Sequence, residues 1–242
     1  MSGSACSSAP TLRPELAKAA SNALTLSDAL EDLIAAGRDS EEDRDAAYDL
    51  AKMLPADTAG DAFGHAAIAG RVAEKKGAGS LFSTDKSPTS LVGEAERFAI
   101  MSRDKDPDFR DGAATRMLGS LYVLAPSDML KHGDSEEGLS MLEHLAQAKP
   151  AVPQNQLRLA EAYIALQDKE SARQPLCKSV ALRSGFRHDD QMLLDKLLDE
   201  MKPFTCPAAG ASPPASSSAA PSSSPSSTAG PAGSATALGD AK

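Results

Sequence analysis

Apolar and small residues recur at helical spacing in the second half of the chain. Two consecutive faces are formed in this way, by Leu159, Ala160 and Tyr163 and then by Ala172, Leu176 and Ser179. Residues three and four positions apart lie on one side of an α-helix. Asp168 separates the two faces and is a residue type that favours turns and helix starts. The pattern therefore predicts two short helices joined at Asp168.

The small residues in these faces resemble those of the tetratricopeptide repeat. Ala160 precedes Ala172 by twelve positions, which is the spacing of that repeat, and small side chains at such positions let two helices pack closely. Gly119 and Gly138 form a similar pair nineteen positions apart. The additional residues fall in 126–133, which is rich in turn formers, so this stretch predicts a second hairpin with a widened loop.

Earlier segments predict more helices of the same kind. Ser40 and Asp43 form a capping box ahead of a helix that ends before Pro55. An Ala-rich and Gly-rich helix is predicted over 59–76 and another over 90–103, with a loop at 77–88. Near the C-terminus, leucines over 188–202 predict an amphipathic helix. A terminal helix of this kind is expected to cap the array.

These elements predict an all-α fold, a tetratricopeptide-like solenoid of about four degenerate helical hairpins with a C-terminal capping helix. We expect three regions: a disordered N-terminus at 1–11, a helical domain at 12–204 and a tail at 205–242. The tail is rich in Ser, Ala and Pro. Such a composition buries too little apolar surface to offset its ordering entropy, so the tail is predicted to be disordered.

Composition and charge narrow the classes of function. Hydrophobic residues make up 41% of the 242 residues, enough for a core, while the formal net charge is −9 with a pI near 5.0. Without a basic stripe, nucleic acid is not an expected partner. Phosphate-binding loops and hydrolase motifs are absent from the sequence, and the four histidines lie in separate units. We therefore expect no enzyme activity, no cofactor and no metal site.

A protein-binding surface remains as the predicted function. In a helical solenoid the first helix of each hairpin lines the concave side, where peptides or partner helices bind. By position, the following residues are predicted to line it: Arg116, Ser120, Gln154, Asn155, Leu157, Glu161 and Ile164.

The three cysteines suggest two different roles. Ser4 and Ala5 before Cys6 resemble the end of a bacterial lipoprotein cleavage box, which predicts a lipidated Cys6; an incidental cysteine in a disordered terminus is the alternative. No stretch of the sequence is long and apolar enough to cross a bilayer, so any membrane contact is expected through that anchor. Cys177 and Cys206 could form a disulfide if the last helix folds back, or remain two separate thiols.

A narrower resemblance extends over 91–202. The stretches DPDFRDGAATRMLGSLYVLAP and PQNQLRLAEAYIALQDKESAR, the widened loop between helices and Asn155 at the head of the next repeat resemble the T component that accompanies tripartite ATP-independent periplasmic (TRAP) transporters. The resemblance implies a periplasmic, lipid-anchored repeat protein of the bacterial cell envelope. It also implies association with a substrate-binding protein and assembly as a homo-trimer. The alternative is a general tetratricopeptide scaffold for another complex in the envelope or cytoplasm.

Overall fold

A computed structural model describes residues 12–76 and 87–206 of the chain. Within these ranges the protein contains ten α-helices and no β-strand. The helices are α1 Pro14–Ala19, α2 Ala23–Ala35, α3 Glu41–Ala51, α4 Ala59–Lys76, α5 Pro88–Lys105, α6 Ala113–Leu124, α7 Ser135–Ala148, α8 Pro153–Ala165, α9 Lys169–Ala181 and α10 His188–Glu200. The all-α prediction is therefore confirmed. The whole of the predicted disordered N-terminus at 1–11, the predicted tail from 207 onward and most of the loop at 77–88 lie outside the described residues.

Short polar side chains fix the starts of several helices. Ser40 and Asp43 form the predicted capping box of α3, in which the Ser40 hydroxyl and the Asp43 carboxylate accept each other's backbone N–H. Asp168 caps α9 by accepting a hydrogen bond of 3.1 Å from the Ser171 amide. Such caps satisfy amides that have no partner within the helix. The turn predicted at Asp168 is therefore confirmed.

Consecutive helices pack as pairs through most of the chain. The most extensive packing joins α4 to α5, α6 to α7, and α8 to α9. Helix α8 also packs on both α6 and α7, so the last pair adjoins the pair before it. The first predicted hairpin differs, since α2 packs more extensively on α4 than on α3. Ala47 of α3 is nevertheless fully buried, as expected of a small residue at a helix contact.

Two glycines meet where α6 packs against α7. A Cβ atom on Gly119 would lie 2.9 Å from the carbonyl oxygen of Gly138, and a Cβ on Gly138 would lie 2.8 Å from the carbonyl oxygen of Gly119. Real Cβ atoms do not approach a carbonyl oxygen so closely. Only glycine therefore allows this approach of the two backbones.

The widened loop between α6 and α7 is held by a buried carboxylate. Glu96 of α5 is 0% exposed, and its carboxylate accepts hydrogen bonds from the amides of Lys131 (3.0 Å) and His132 (2.9 Å). Gly133 packs directly against the ring of Tyr122. Hydrogen bonds to an ionised acceptor are among the stronger ones, so the loop has a defined position despite its added length.

The C-terminal helix α10 packs on α8 and α9. Buried side chains of α8, α9 and α10 form one hydrophobic cluster that includes Leu157, Leu176 and Leu194. A disulfide between Cys177 and Cys206, with Cα atoms 5.4 Å apart, ties α9 to the segment after α10. Helix α10 also contacts α2 near the beginning of the described chain. No helix in 12–76 or 87–206 combines the length and hydropathy needed to cross a membrane.

Candidate functional site

Charged and amide side chains from five helices meet on one side of the paired helices. We call this group the polar cluster, and its members are Glu31 of α2, Arg71 of α4, Arg116 of α6, Gln154, Asn155, Arg158 and Glu161 of α8, and Asp189 and Asp190 of α10. Helices α4, α6 and α8 are the first helices of the three most tightly packed pairs, and each contributes one arginine. The three arginines differ in how their charge is balanced.

Arg71 is held by carboxylates from two other helices. Its Nε and Nη2 atoms donate to the two carboxylate oxygens of Glu31, each at 2.7 Å, and Nη2 also donates to Asp189 at 3.0 Å. Burial acts to lower the pKa of the Arg71 guanidinium, but the hydrogen bonds and charge of Glu31, together with the charges of Glu74 and Asp189, outweigh burial and raise it. Arg71 therefore stays charged and joins α4 to α2 and α10.

Arg158 is also paired on two sides. Its Nη1 donates to Glu161 at 2.8 Å and its Nη2 donates to Asp190 at 3.1 Å. Burial acts to lower the pKa of Arg158, yet the two carboxylates raise it overall. Burial raises the pKa of Asp190, which is 7% exposed, and the charge of Arg158 opposes that change. This pair joins α8 to α10.

Arg116 has a different environment. Its Nη1 donates to the amide oxygen of Asn155 at 2.7 Å, and no carboxylate in the described parts of the chain lies within ion-pair distance of it. Burial and, next in size, the positive charge of Arg158 lower the pKa of Arg116 to about 10, although the charges of Asp190 and Asp111 act to raise it. Arg116 is thus a half-buried cation with a neutral hydrogen-bond partner.

Asn155 holds Arg116 in this position. The Asn155 side chain is 0% exposed, and its Nδ2 donates to the carbonyl oxygen of Lys149 at 3.3 Å. Because the amide nitrogen is engaged there, the amide oxygen faces Arg116. Two elements thus position the guanidinium: α6, which carries it, and the turn at Lys149, which orients its acceptor.

Several residues predicted from the sequence as the binding surface belong to the polar cluster. Arg116, Gln154 and Glu161 are half-buried members, and Ser120 of α6 is likewise half-buried. Asn155 is too deeply buried for a partner to touch, and its contact with Arg116 gives it an indirect part in the site.

Leu157 and Ile164 do not belong to an accessible surface, so their assignment to the binding face is wrong. They are 0% and 2% exposed and lie in the hydrophobic cluster with Leu176 and Leu194. The physical reason is the packing of α10 on α8. That helix covers a face which the repeat pattern alone leaves open.

Sequence reasoning missed the ionic partners in this cluster. Asp189 and Asp190 lie in the first turn of α10, where a carboxylate also interacts favourably with the helix dipole. Their contacts with Arg71 and Arg158 join residues 118 and 32 positions apart. No short-range sequence pattern identifies pairs at such separations.

The structure describes two of the three cysteines. Cys177 and Cys206 are bonded in the structure, whereas Cys6 lies outside the described residues. No group of three or more His, Cys, Asp or Glu side chains suited to a metal ion occurs in 12–76 or 87–206. The polar cluster therefore offers arginine donors and carboxylate acceptors to a binding partner.

Comparison with known proteins does not assign the chain to a family. No protein-family model matches the sequence, and no curated protein matches it either. The function is therefore inferred from the helix pairs, the polar cluster and the disulfide.

Proposed function

We propose that this protein is a non-catalytic protein-interaction module of the bacterial cell envelope, built as a tetratricopeptide-like solenoid and similar to the T component of TRAP transporters. The observation that carries the proposal is the position of three arginines on the first helices of three successive helix pairs. In a helical solenoid this side is the concave binding surface. A substrate-binding protein is the proposed partner.

The packing order supports a repeat architecture. Helices α6 and α7 approach through Gly119 and Gly138, while Ala160 and Ala172, the corresponding small residues of α8 and α9, are fully buried. Helix α8 packs on both members of the preceding pair, as adjacent repeats do. The proposed solenoid comprises α4 to α9, with α10 as its cap.

The disulfide supports a location outside the cytoplasm. Cysteine pairs of this kind persist in oxidising compartments such as the bacterial periplasm and are rare in the cytosol. The bond between Cys177 and Cys206 closes the fold at its C-terminal cap. A lipid on Cys6 would then attach the protein to the membrane, and stable attachment would need more than one acyl chain.

Partner contact can be tested by photo-crosslinking in native membranes. We would place a photoreactive phenylalanine analogue at Ser120, beside the polar cluster, and a matched one at Glu170, an exposed residue of α9. The proposal expects a solute-binding protein to crosslink from residue 120 and not from residue 170. Crosslinking from residue 170 alone, or no crosslinked protein from either position, would contradict it.

The same preparation tests the anchor and the compartment. Mass spectrometry of the N-terminal peptide is expected to show a triacylated Cys6. An unmodified N-terminus in the soluble fraction would remove the envelope assignment. A different crosslinked partner under those conditions would favour the alternative, a general tetratricopeptide scaffold in the cytoplasm.

A further inference from the structure

We propose that Arg116 binds a carboxylate group, supplied either by a small organic acid or by an acidic side chain of the protein partner. This inference rests on the proposed function, because it treats the polar cluster as a binding surface. It adds the chemical class of the group that is bound and the residue that binds it.

The geometry of Arg116 leaves one edge of the guanidinium available. Asn155 accepts its hydrogen bond from Nη1. The Nε and Nη2 atoms form the opposite edge, and no described side chain or carbonyl accepts a hydrogen bond from them. Two parallel N–H donors match the two oxygens of a carboxylate, which is why arginine binds this group in a bidentate manner.

Arg71 and Arg158 show what such an edge does when a carboxylate is present. In Arg71, Nε and Nη2 donate to the two oxygens of Glu31, each at 2.7 Å. Arg158 donates to carboxylates of both Glu161 and Asp190. Only Arg116 among the three arginines of the cluster has a neutral acceptor. A half-buried cation without a directly paired carboxylate is costly, so an incoming anion would stabilise this site.

The nearby acidic groups do not occupy this edge. Asp190 is engaged by Arg158 and by Gln154, whose Nε2 lies 3.5 Å from its second oxygen, and Glu161 is engaged by Arg158. Asp111 interacts with Arg116 only through its charge at a distance. A bound carboxylate would therefore face Arg116 directly, while these acids stay in their own ion pairs.

Preorganisation favours a specific contact. Asn155 is fully buried and fixed by the Lys149 carbonyl, so the guanidinium is held before any ligand arrives. A site held in this way loses less entropy on binding than a flexible surface arginine. Arg183 is such a surface arginine: it is 42% exposed and paired with Asp195, which makes it a suitable control.

The test is a titration of the purified full-length protein with sodium propionate, followed through the NMR signal of the Arg116 Nε–H group. Propionamide, which has nearly the same shape without the charge, is the matched control, and the chloride concentration is kept constant. We expect a saturable shift with propionate and none with propionamide. Variants that lack this group are followed through the side-chain amide signal of Asn155, which accepts the Arg116 hydrogen bond in the natural protein. Arg116→Met should weaken propionate binding roughly tenfold or more, as expected for loss of a charged hydrogen-bonded pair.

Two further variants keep the test decisive. Arg116→Lys retains the charge but not the two-donor edge, so it should bind propionate more weakly than the natural protein. Arg183→Met should bind as the natural protein does. Equal binding of propionamide, the absence of a saturable shift at Arg116, or unchanged affinity in both Arg116 variants would overturn the proposal.

The two sources of the carboxylate are separated by competition. If propionate reduces partner crosslinking from residue 120, the partner supplies the carboxylate; if crosslinking persists, a free acid does. Propionate binding without any crosslinked partner would support this inference and contradict the proposed function. Crosslinking without propionate binding would support the proposed function and contradict this inference.

Discussion

The two sides of the polar cluster differ in charge balance although both carry half-buried arginines. On the side formed by α8 and α10, Arg158 is paired with Glu161 and Asp190. On the side formed by α6, Arg116 has the amide oxygen of Asn155 as its acceptor. Both arginines are half-buried, yet the pKa is raised for Arg158 and lowered for Arg116.

The difference separates structural arginines from a binding arginine. Arg71 and Arg158 each join helices that are distant in sequence, and their carboxylates balance the cost of burial. Arg116 pays for burial without such a balance. A half-buried charge without a directly paired counter-charge is a candidate functional group.

The largest expected effect on stability concerns the hydrophobic cluster of α8, α9 and α10, which adjoins the side that carries Arg158. Leu157→Ala should lower the free energy of unfolding by about 3 kcal/mol, because the removed atoms leave a cavity in the core. Urea unfolding measures this change. Ser120→Ala, at a half-buried position, should change it by less than about 0.5 kcal/mol. Similar values for the two variants would contradict the placement of Leu157 in the core and would favour its original assignment to the accessible surface.

Removing the paired arginine should have the next largest effect. Arg158→Met leaves Asp190 buried with only Gln154 to donate to it, and should lower the unfolding free energy by about 2 kcal/mol. The matched control is Arg183→Met, since the Arg183 and Asp195 side chains are 42% and 57% exposed. An exposed pair contributes little. If both variants unfold at the same urea concentration, the ion pairs of Arg158 do not stabilise the fold.

The titration of Asp190 gives a smaller effect with a defined sign. Because its pKa is raised in the folded protein, the folded state holds this proton more tightly than the unfolded state. The resulting stability is present below the ordinary aspartate pKa and is lost as pH rises through the folded value. The unfolding free energy of the natural protein minus that of Asp190→Asn should therefore fall as pH rises from about 4. A difference that increases with pH would contradict the raised pKa.

The smallest effect on stability is expected for Arg116, on the side formed by α6. Arg116→Met relieves the repulsion from Arg158 but leaves the buried Asn155 oxygen without its donor, so the unfolding free energy should fall by about 1 kcal/mol, less than for Arg158→Met. Urea unfolding in the absence of carboxylates measures this change. A loss as large as that of Arg158→Met would show that Arg116 is structural too, and the difference between the two sides would disappear.

Local sequence patterns predicted much of the fold. The capping box at Ser40, the turn at Asp168 and the bounds of α4 depend on residues close together in sequence, and all three are confirmed. Gly119 and Gly138 were recognisable because a repeat places small residues at fixed positions. The packing of α2 against α4, instead of chiefly against α3, depends on contacts that no local pattern encodes.

The candidate site was only partly predictable. Repeat positions selected Arg116 and Gln154 of the polar cluster, because they identify the first helix of each pair. The same reasoning wrongly assigned Leu157 to the binding surface. Leu157 is buried by the packing of α10 on α8, which is a contact between residues distant in sequence. The same reasoning also could not show that Asp190 of α10 pairs with Arg158 and not with Arg116, because that contact joins residues distant in sequence; only the pair of Arg158 with Glu161 is local.

The most direct test of the difference between the two sides is the pKa of each arginine, measured from its guanidinium carbon signal by NMR between pH 8 and pH 13. The structure predicts a pKa of about 10 for Arg116, while Arg71 and Arg158 remain protonated to higher pH. Propionate should raise the pKa of Arg116, since a bound carboxylate stabilises the charged form. If Arg116 titrates together with the other two arginines, its charge is already balanced, and the proposed carboxylate site does not exist.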